Sequence, residues 1–156
     1  MRLSAIASCT ASEPWSAKRM TELIDAEESF IAGKVGVETK YILKEDESGI
    51  DLAERAVAKL FEKTGKTARD IDFMIDVTQT PEYRSPQNIA LLHDRLGSRS
   101  DFGAFDLSLA CSWWVYSRMT ARGIGLAEGF SNILRVTCDP YSKVMDPRDK
   151  GTAAVF

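Results

Sequence analysis

The sequence predicts an α/β fold with a largely parallel sheet. Short apolar segments alternate with amphipathic segments of about ten residues or more, which is typical of strand–helix–strand units. Gly65, Gly97 and Gly129 each stand directly after an amphipathic segment, where glycine commonly ends a helix. The sequence contains no internal repeat and no low-complexity segment, so neither an array nor a disordered linker is expected.

The first fifty residues predict short elements. These are a strand at 2–8, a loop at 13–15, a short helix from 16, a short helix and turn within 27–40, a strand at 39–43 and a charged loop at 44–49. Ser16 is a good N-cap for its helix, since a serine side chain accepts a hydrogen bond from the free N–H groups of a first turn.

The remaining residues predict longer, alternating elements. The clearest helix covers 51–63, where Leu52, Ala56 and Leu60 share one apolar face. The elements after it are a strand at 71–78, a loop at 79–86, a helix at 87–96, a strand at 102–107, a helix at 111–128, a strand at 132–137, a polar loop at 139–151 and the start of a strand at 152–156. Because a domain seldom ends on an exposed apolar strand, we expect a longer protein; the alternative is a terminal strand tucked into the sheet.

Composition excludes several classes of protein. A chain of 156 residues with 44% hydrophobic and 28% charged residues can bury the core of one soluble domain. The net charge of −3 comes with both signs mixed along the chain, so we expect neither a nucleic acid nor a membrane surface as partner. The three cysteines have no zinc or disulfide spacing, which predicts reduced thiols, no metal and a cytoplasmic location.

Cys111 is the leading candidate for chemistry. It stands where the strand at 102–107 gives way to the helix at 111–128. A thiol at such a junction faces the free N–H groups of the helix start, which favour the thiolate, the nucleophilic form. The alternative is a buried and inert cysteine.

A general base for Cys111 is harder to find. His93 is the single histidine, and its place within the helix at 87–96 predicts an ordinary histidine on a helix face. Either the base lies in chain beyond these residues, or Cys111 does no covalent work.

Several motifs together resemble the N-terminal half of β-ketoacyl-acyl carrier protein synthase III, of the thiolase superfamily. The resemblance runs along nearly the whole chain. The motifs are Thr78-Gln79-Thr80-Pro81 with Pro86, Leu96-Gly97, Ala104-Phe105-Asp106-Leu107 leading into Ala110-Cys111-Ser112, and Asp146-Pro147-Arg148-Asp149-Lys150-Gly151-Thr152. It implies a thiolase-like fold with a mixed, mostly parallel sheet and helices on both faces, with residues 1–156 forming the N-terminal half and the C-terminal half absent.

The resemblance also implies a function. Cys111 matches the acyl-accepting nucleophile, which takes an acyl group from a coenzyme A thioester and condenses it with malonyl-carrier protein after decarboxylation. The family's catalytic His and Asn belong to its second half. The family works as a homodimer with acyl carrier protein, in fatty acid or related biosynthesis, and needs no metal or redox cofactor.

Four further positions matter for substrate binding in the resemblance. Phe30, Lys34 and Lys150 stand where the family has a Trp and two Arg that contact coenzyme A, and Trp113 stands where the family usually has Gly. Lys keeps the positive charge of Arg but loses its two-pronged hydrogen bonding. A carrier-protein-bound acyl donor is therefore an alternative to coenzyme A, and ordinary solvated charge is an alternative for both lysines.

Three functions remain open from the sequence. The leading one is the condensing acyltransferase. The second is an enzyme that loads or transfers acyl groups through Cys111 without condensation. The third is a non-catalytic, thiolase-like module for dimerisation or carrier binding.

Overall fold

A computed structural model describes residues 2–155, apart from the side chain of Ala110. The chain forms two compact units. The first unit contains the chain up to Cys9 and residues Gly49–Asp139, and the second contains Thr10–Ser48 and the chain from Pro140 onward.

Five strands and five α-helices are described. The strands are β1 (Glu13–Ser16), β2 (Thr39–Ile42), β3 (Phe73–Val77), β4 (Gly103–Leu107) and β5 (Ile133–Thr137). The helices are α1 (Ala17–Thr21), α2 (Gly49–Thr64), α3 (Asn88–Arg95), α4 (Trp113–Glu128) and α5 (Lys150–Ala153). Short turns of other helix types are a π-helix at Phe30–Val35 and 3₁₀ turns at Ala68–Asp70, Ala110–Ser112 and Tyr141–Lys143.

The first unit is built on a parallel sheet with strand order β4-β3-β5. On the central strand, Phe73 is in register with Gly103 and Ile133, and Val77 with Leu107 and Thr137. The three strands therefore end together at one carboxyl edge of the sheet, as parallel strands joined through helices do. The predicted parallel α/β architecture is confirmed.

Helices cover both faces of this sheet because the central strand is buried on both sides. On one face Met74 packs with α2 and α3, through residues such as Val57 and Leu92. On the other face Ile75 and Val77 pack with Ala121 of α4.

The second unit has its own small core. Strands β1 and β2 pair antiparallel, with Glu13 in register with Ile42 and Ser16 with Thr39. Six buried residues of the unit form a separate cluster, namely Ala17, Met20, Ile24, Ile31, Ala153 and Ala154. The predicted cap is present, since Ser16 Oγ accepts a hydrogen bond from the Arg19 N–H at 3.1 Å.

Two predictions about the first sixteen residues are wrong. Residues 2–8 form no strand ladder with any described residue, and the Ile6 and Ser8 carbonyls instead accept hydrogen bonds from Lys63 Nζ and Lys59 Nζ. Conversely, β1 runs through Pro14, which we predicted to lie in a loop. Proline is tolerated there because β1 pairs with β2 alone in a two-stranded sheet, so one of its edges needs no N–H donors.

Two predictions about later elements need correction. The expected strand at 152–156 is wrong for its described residues, because the Asp149 carboxylate accepts the Gly151 and Thr152 N–H groups at 3.2 Å and begins α5 at Lys150. Phe156 lies outside the described residues. The helix expected from Cys111 begins as an α-helix only at Trp113, with Cys111 in the 3₁₀ turn before it.

Over residues 2–155, none of the helices combines the length and the apolar character that crossing a membrane requires.

Candidate active site

Cys111 lies between the carboxyl end of β4 and the start of α4. Strand β4 ends at Leu107, the 3₁₀ turn covers Ala110–Ser112, and α4 begins at Trp113. The Cys111 side chain is exposed and in no disulfide. This is the edge of a parallel sheet at which α/β proteins commonly place their reacting groups.

The first turn of α4 has no serine cap. Ser112 is the N-cap residue, but its side chain makes no capping hydrogen bond. Ser112 Oγ instead donates to the Leu109 carbonyl at 3.3 Å. The positive, N-terminal end of α4 thus lies directly after the turn that contains Cys111, where it favours a nearby negative charge such as a thiolate or an oxyanion.

The two tryptophans after Ser112 have different surroundings. Trp113 is half-buried and packs against the cluster of Ile75, Val77 and Ala121. Trp114 is 41% exposed, and its ring meets that of Trp113 edge-on at 6.2 Å between centroids. Trp113, which we predicted to bind substrate, anchors the start of α4 to the sheet.

Arg135 on β5 holds the same end of α4 and was not predicted as a site residue. Its Nη1 donates to the Trp114 carbonyl and to Ser117 Oγ, both at 3.1 Å. Its guanidinium also lies 4.3 Å from the centroid of the Trp114 ring, a cation–π contact. Burial and the nearby Arg118 lower the pKa of Arg135. Only the fold brings β5 against α4, so the sequence carried no signal for this contact.

Cys138 follows β5 much as Cys111 follows β4, yet its environment is unlike that of Cys111. It is half-buried and packs against the apolar core beneath α2 and α3. Burial, helped by the carboxylates of Asp76 and Asp139, raises the pKa of the Cys138 thiol to about 12. Such a thiol is almost entirely protonated at neutral pH, and hence a poor nucleophile.

His93 is occupied by structural contacts. Its ring stacks on Phe102 at 4.8 Å between centroids. Its Nε2 lies 2.8 Å from the Arg99 carbonyl, an acceptor, so Nε2 carries the proton and donates. This is the ordinary helix-face role expected from the sequence.

In the second unit, three predicted substrate-binding residues come together. The Lys34 Nζ lies 5.9 Å and the Lys150 Nζ 5.0 Å from the centroid of the Phe30 ring. Phe30 is half-buried, whereas both lysines are exposed. Two ammonium groups held over one aromatic ring suit a ligand that carries phosphate groups.

The first unit also has a groove of about 400 Å³. The described residues that line it include five cations and no carboxylate: Arg2, Lys66, Arg118, Arg122 and Arg135. Neither Cys111 nor Trp113 lines the groove. The groove therefore does not include the candidate nucleophile.

Comparisons with known proteins show which proteins this chain resembles. A family model for 3-oxoacyl-[acyl-carrier-protein] synthase III matches residues 105–156, which include Cys111. The β-ketoacyl-[acyl-carrier-protein] synthase III of Streptococcus agalactiae is 32% identical over 99% of this chain and 47% of that protein. A crystal structure of a 3-oxoacyl-(acyl-carrier-protein) synthase III matches with a TM-score of 0.90 and 32% identity, over 96% of this chain and 45% of the other. The corresponding synthase of Pseudomonas aeruginosa PAO1 matches with a TM-score of 0.86 and 27% identity, over 96% of this chain and 45% of the other.

The fold and the cysteine at its strand–helix junction define a thiolase-like α/β protein. Within that class, the chain is similar to the β-ketoacyl-acyl carrier protein synthase III enzymes, and the similarity is consistent with their N-terminal half. The resemblance seen in the sequence is confirmed. The chain spans about half the length of the curated relatives that it matches.

Proposed function

We propose that the chain carries the acyl-accepting part of a condensing acyltransferase of the β-ketoacyl-acyl carrier protein synthase III type, with Cys111 as the nucleophile. The observation that carries the proposal is the exposed Cys111 directly before α4, within the segment that matches the family model. The pathway is fatty acid or related biosynthesis, in keeping with the names of the relatives.

The proposed first step is transfer of an acyl group to Cys111. The Cys111 thiolate attacks the carbonyl carbon of an acyl thioester and forms a new carbon–sulfur bond. The donor's sulfur leaves with the electrons of the bond that breaks. The backbone N–H of Cys111 supplies one donor to the transient oxyanion, and the N-terminal end of α4 favours the negative charge.

The proposed second step is condensation. Malonyl-carrier protein loses carbon dioxide, and the resulting carbanion attacks the acyl carbonyl carbon on Cys111. The Cys111 sulfur then leaves as a thiolate, ready for the next acyl group. The proton-handling His and Asn that the resemblance implies are assigned to a C-terminal half, so residues 1–156 alone are expected to be inactive in condensation.

We infer that Phe30, Lys34 and Lys150 bind the acyl donor. Their convergence supports this role, since a coenzyme A thioester carries both an adenine ring and phosphates. A carrier-protein-bound acyl group is the alternative donor, because it would present one phosphate and no adenine ring to the same side chains.

The proposed setting is a larger assembly. Helix α4 exposes four large apolar side chains between 50% and 66%, namely Val115, Tyr116, Met119 and Leu126. A row of exposed apolar residues of this kind supports burial against further polypeptide. We propose a C-terminal half, a homodimer, acyl carrier protein as a partner and a cytoplasmic location.

A labelling experiment tests the role of Cys111. The chain is incubated with an acyl-coenzyme A, and its intact mass is compared with those of the Cys111→Ala and Cys138→Ala variants. We expect an acyl adduct on the unmodified chain and on Cys138→Ala, and none on Cys111→Ala. An adduct that survives in Cys111→Ala would reject the assignment, and no adduct on any of the three would favour the non-catalytic module.

One observation favours a second candidate, acyl loading or transfer without condensation. Trp113 stands two residues after Cys111, where the family usually has Gly, and its large ring packs against the cluster of Ile75, Val77 and Ala121. A second assay separates condensation from acyl transfer alone. It measures carbon dioxide release from malonyl-carrier protein by a protein that contains both the N-terminal and the C-terminal half. Carbon dioxide release indicates condensation, and acylation without it indicates the second candidate.

A further inference from the structure

The groove of the first unit lies along one edge of the parallel sheet. Strand β5 ends the strand order, and over residues 2–155 it pairs with β3 alone. The groove is lined by Leu134 of β5, by Phe61 of α2 and by Met119 of α4. Because α2 and α4 cover opposite faces of the sheet, a cavity that reaches both helices passes over the edge of β5. Every described residue that lines it belongs to the first unit.

The groove offers apolar surface to a ligand. Among its lining residues, Leu134 and Ala121 are buried in the fold. Leu3, Val115 and Met119 also line it, and they are exposed at 57%, 57% and 62%. An alkyl chain seated against these three side chains would remove apolar surface from water, which favours its binding.

Arginine side chains border this apolar surface. Val115, Arg118, Met119 and Arg122 have the spacing of one face of α4. Arg118 and Arg122, four residues apart, are neighbours on that face, where like charges repel each other. Burial, and then the charge of Arg118, lower the pKa of Arg135 on β5. Guanidinium groups therefore gather where α4 meets β5.

Few acidic groups balance these positive charges. Over residues 2–155, Arg2, Arg118 and Arg122 make no ion pair. Lys66 is close to the carboxylate of Asp70, but Asp70 does not line the groove. The groove therefore complements a ligand that carries negative charge.

One carboxylate contacts lining residues through their backbone. Asp72 Oδ2 accepts the N–H groups of Ser131 and Asn132 at 2.9 and 2.8 Å. Asp72 itself is not among the residues that line the groove. Its single negative charge does not balance the five cations of the groove, which stays positive.

We propose that this groove binds a fatty acid, with the alkyl chain against Leu3, Val115 and Met119 and the carboxylate held by Arg118 and Arg122. A guanidinium can donate two parallel hydrogen bonds to one carboxylate. The groove volume of about 400 Å³ is near the lower end of the range of about 300–1,000 Å³ for small-molecule sites, so it suits one alkyl chain rather than a two-chain lipid.

This inference does not depend on the proposed acyltransferase activity. Cys111 does not line the groove, and the ligand is a free carboxylate rather than a thioester. Binding is therefore measured directly, without any acylation reaction.

Isothermal titration calorimetry of the intact chain tests the ligand class. The probe is decanoate, kept below its micelle-forming concentration, and the matched ligands are decan-1-ol, which lacks the charge, and acetate, which lacks the chain. We expect decanoate to bind at least about tenfold more tightly than either, because only decanoate uses both the apolar surface and the arginines. Equal affinity for decanoate and decan-1-ol, or no binding of decanoate, would overturn the proposal.

Variants at exposed positions test the site itself. Arg122→Gln removes a cation and Met119→Glu removes apolar surface from the groove. Their controls are Arg84→Gln and Leu126→Glu, at exposed residues that do not line it. We expect the first two to weaken decanoate binding by about tenfold, and the controls to weaken it by less than about twofold. Equal losses in variants and controls would reject this groove as the site.

Amide chemical shifts of the unmodified chain locate the ligand without any variant. We expect added decanoate to shift the amide resonances of Met119 and Leu134 and to leave those of Phe30 and Lys34 unchanged. The second pair belongs to the second unit, where two lysines surround an aromatic ring. Shifts confined to Phe30 and Lys34 would place decanoate there and contradict the proposal.

Discussion

Cys111 and Cys138 follow the two strands that flank β3 in one sheet, yet they differ in burial and in the element that follows them. Cys111 comes after β4 and is exposed directly before an α-helix. Cys138 comes after β5, its N–H donates to the Val77 carbonyl at 3.3 Å, and its thiol packs against the core. The strand that precedes a cysteine therefore does not decide its chemistry; the burial and the element that follow do.

Thiol alkylation should give the largest difference between these two cysteines. With a pKa of about 12, Cys138 is a thiolate in about one molecule in ten thousand at pH 8. We expect iodoacetamide to label Cys111 at least about a hundredfold faster than Cys138, because Cys111 is also accessible. Peptide-level mass spectrometry over a time course measures both rates, and equal rates would break the comparison.

The next largest effect is expected from removing the contacts between Arg135 and the first turn of α4. Arg135→Met keeps the apolar stem but removes the hydrogen bonds to the Trp114 carbonyl and to Ser117 Oγ. We expect the free energy of unfolding to fall by about 2 kcal/mol, since both bonds have a charged donor. Arg118→Met is the matched control, because Arg118 is exposed and makes no described ion pair. Similar losses in both variants, measured by urea unfolding, would contradict the role of Arg135.

The Phe30 cluster allows donor binding to be separated from thiol reactivity. We expect Lys34→Ala and Lys150→Ala each to raise the KM for acyl-coenzyme A in the Cys111 acylation reaction by about tenfold, while the rate of Cys111 alkylation stays unchanged. Lys18→Ala is the control, since Lys18 is an exposed lysine of the same unit. If the control shifts the KM as much as the two variants do, general charge rather than this cluster attracts the donor.

Two serines at helix starts should give the smallest effects and sharpen the view of the Cys111 junction. Ser16→Ala removes the cap of α1 and should cost about 1 kcal/mol of unfolding free energy. Ser112→Ala should cost well under that, because the Ser112 side chain does not cap α4. Thermal unfolding of the two variants makes the comparison, and a larger loss for Ser112→Ala would mean that this serine does stabilise the first turn of α4.

Local sequence patterns predicted the helices and strands whose own residues show amphipathic spacing or an apolar run. The period of α2 and the buried strands β3, β4 and β5 were readable because amphipathic spacing and apolar runs are properties of neighbouring residues. Residues 2–8 look like a strand for the same reason, but a strand needs a partner, and pairing is not a local property. The strand expected at the end of the chain failed because the Asp149 cap outweighed the apolar run after it.

The candidate site divides in the same way. The junction at Cys111 was predictable, since strand, cysteine and helix are consecutive in the sequence. The meeting of Lys150 with Phe30 joins residues far apart in the chain, and only the family resemblance indicated it. The contact of Arg135 with Trp114 depends on how α4 packs on β5, for which one sequence carries no pattern.

Peptide mapping of the acylated protein tests the central claim most directly. The unmodified chain is incubated with an acyl-coenzyme A, digested at mildly acidic pH to preserve thioesters, and the acyl mass is located by fragmentation. Our account predicts the acyl group on Cys111 alone. An acyl group on Cys138 or Cys9, with Cys111 unmodified, would contradict it.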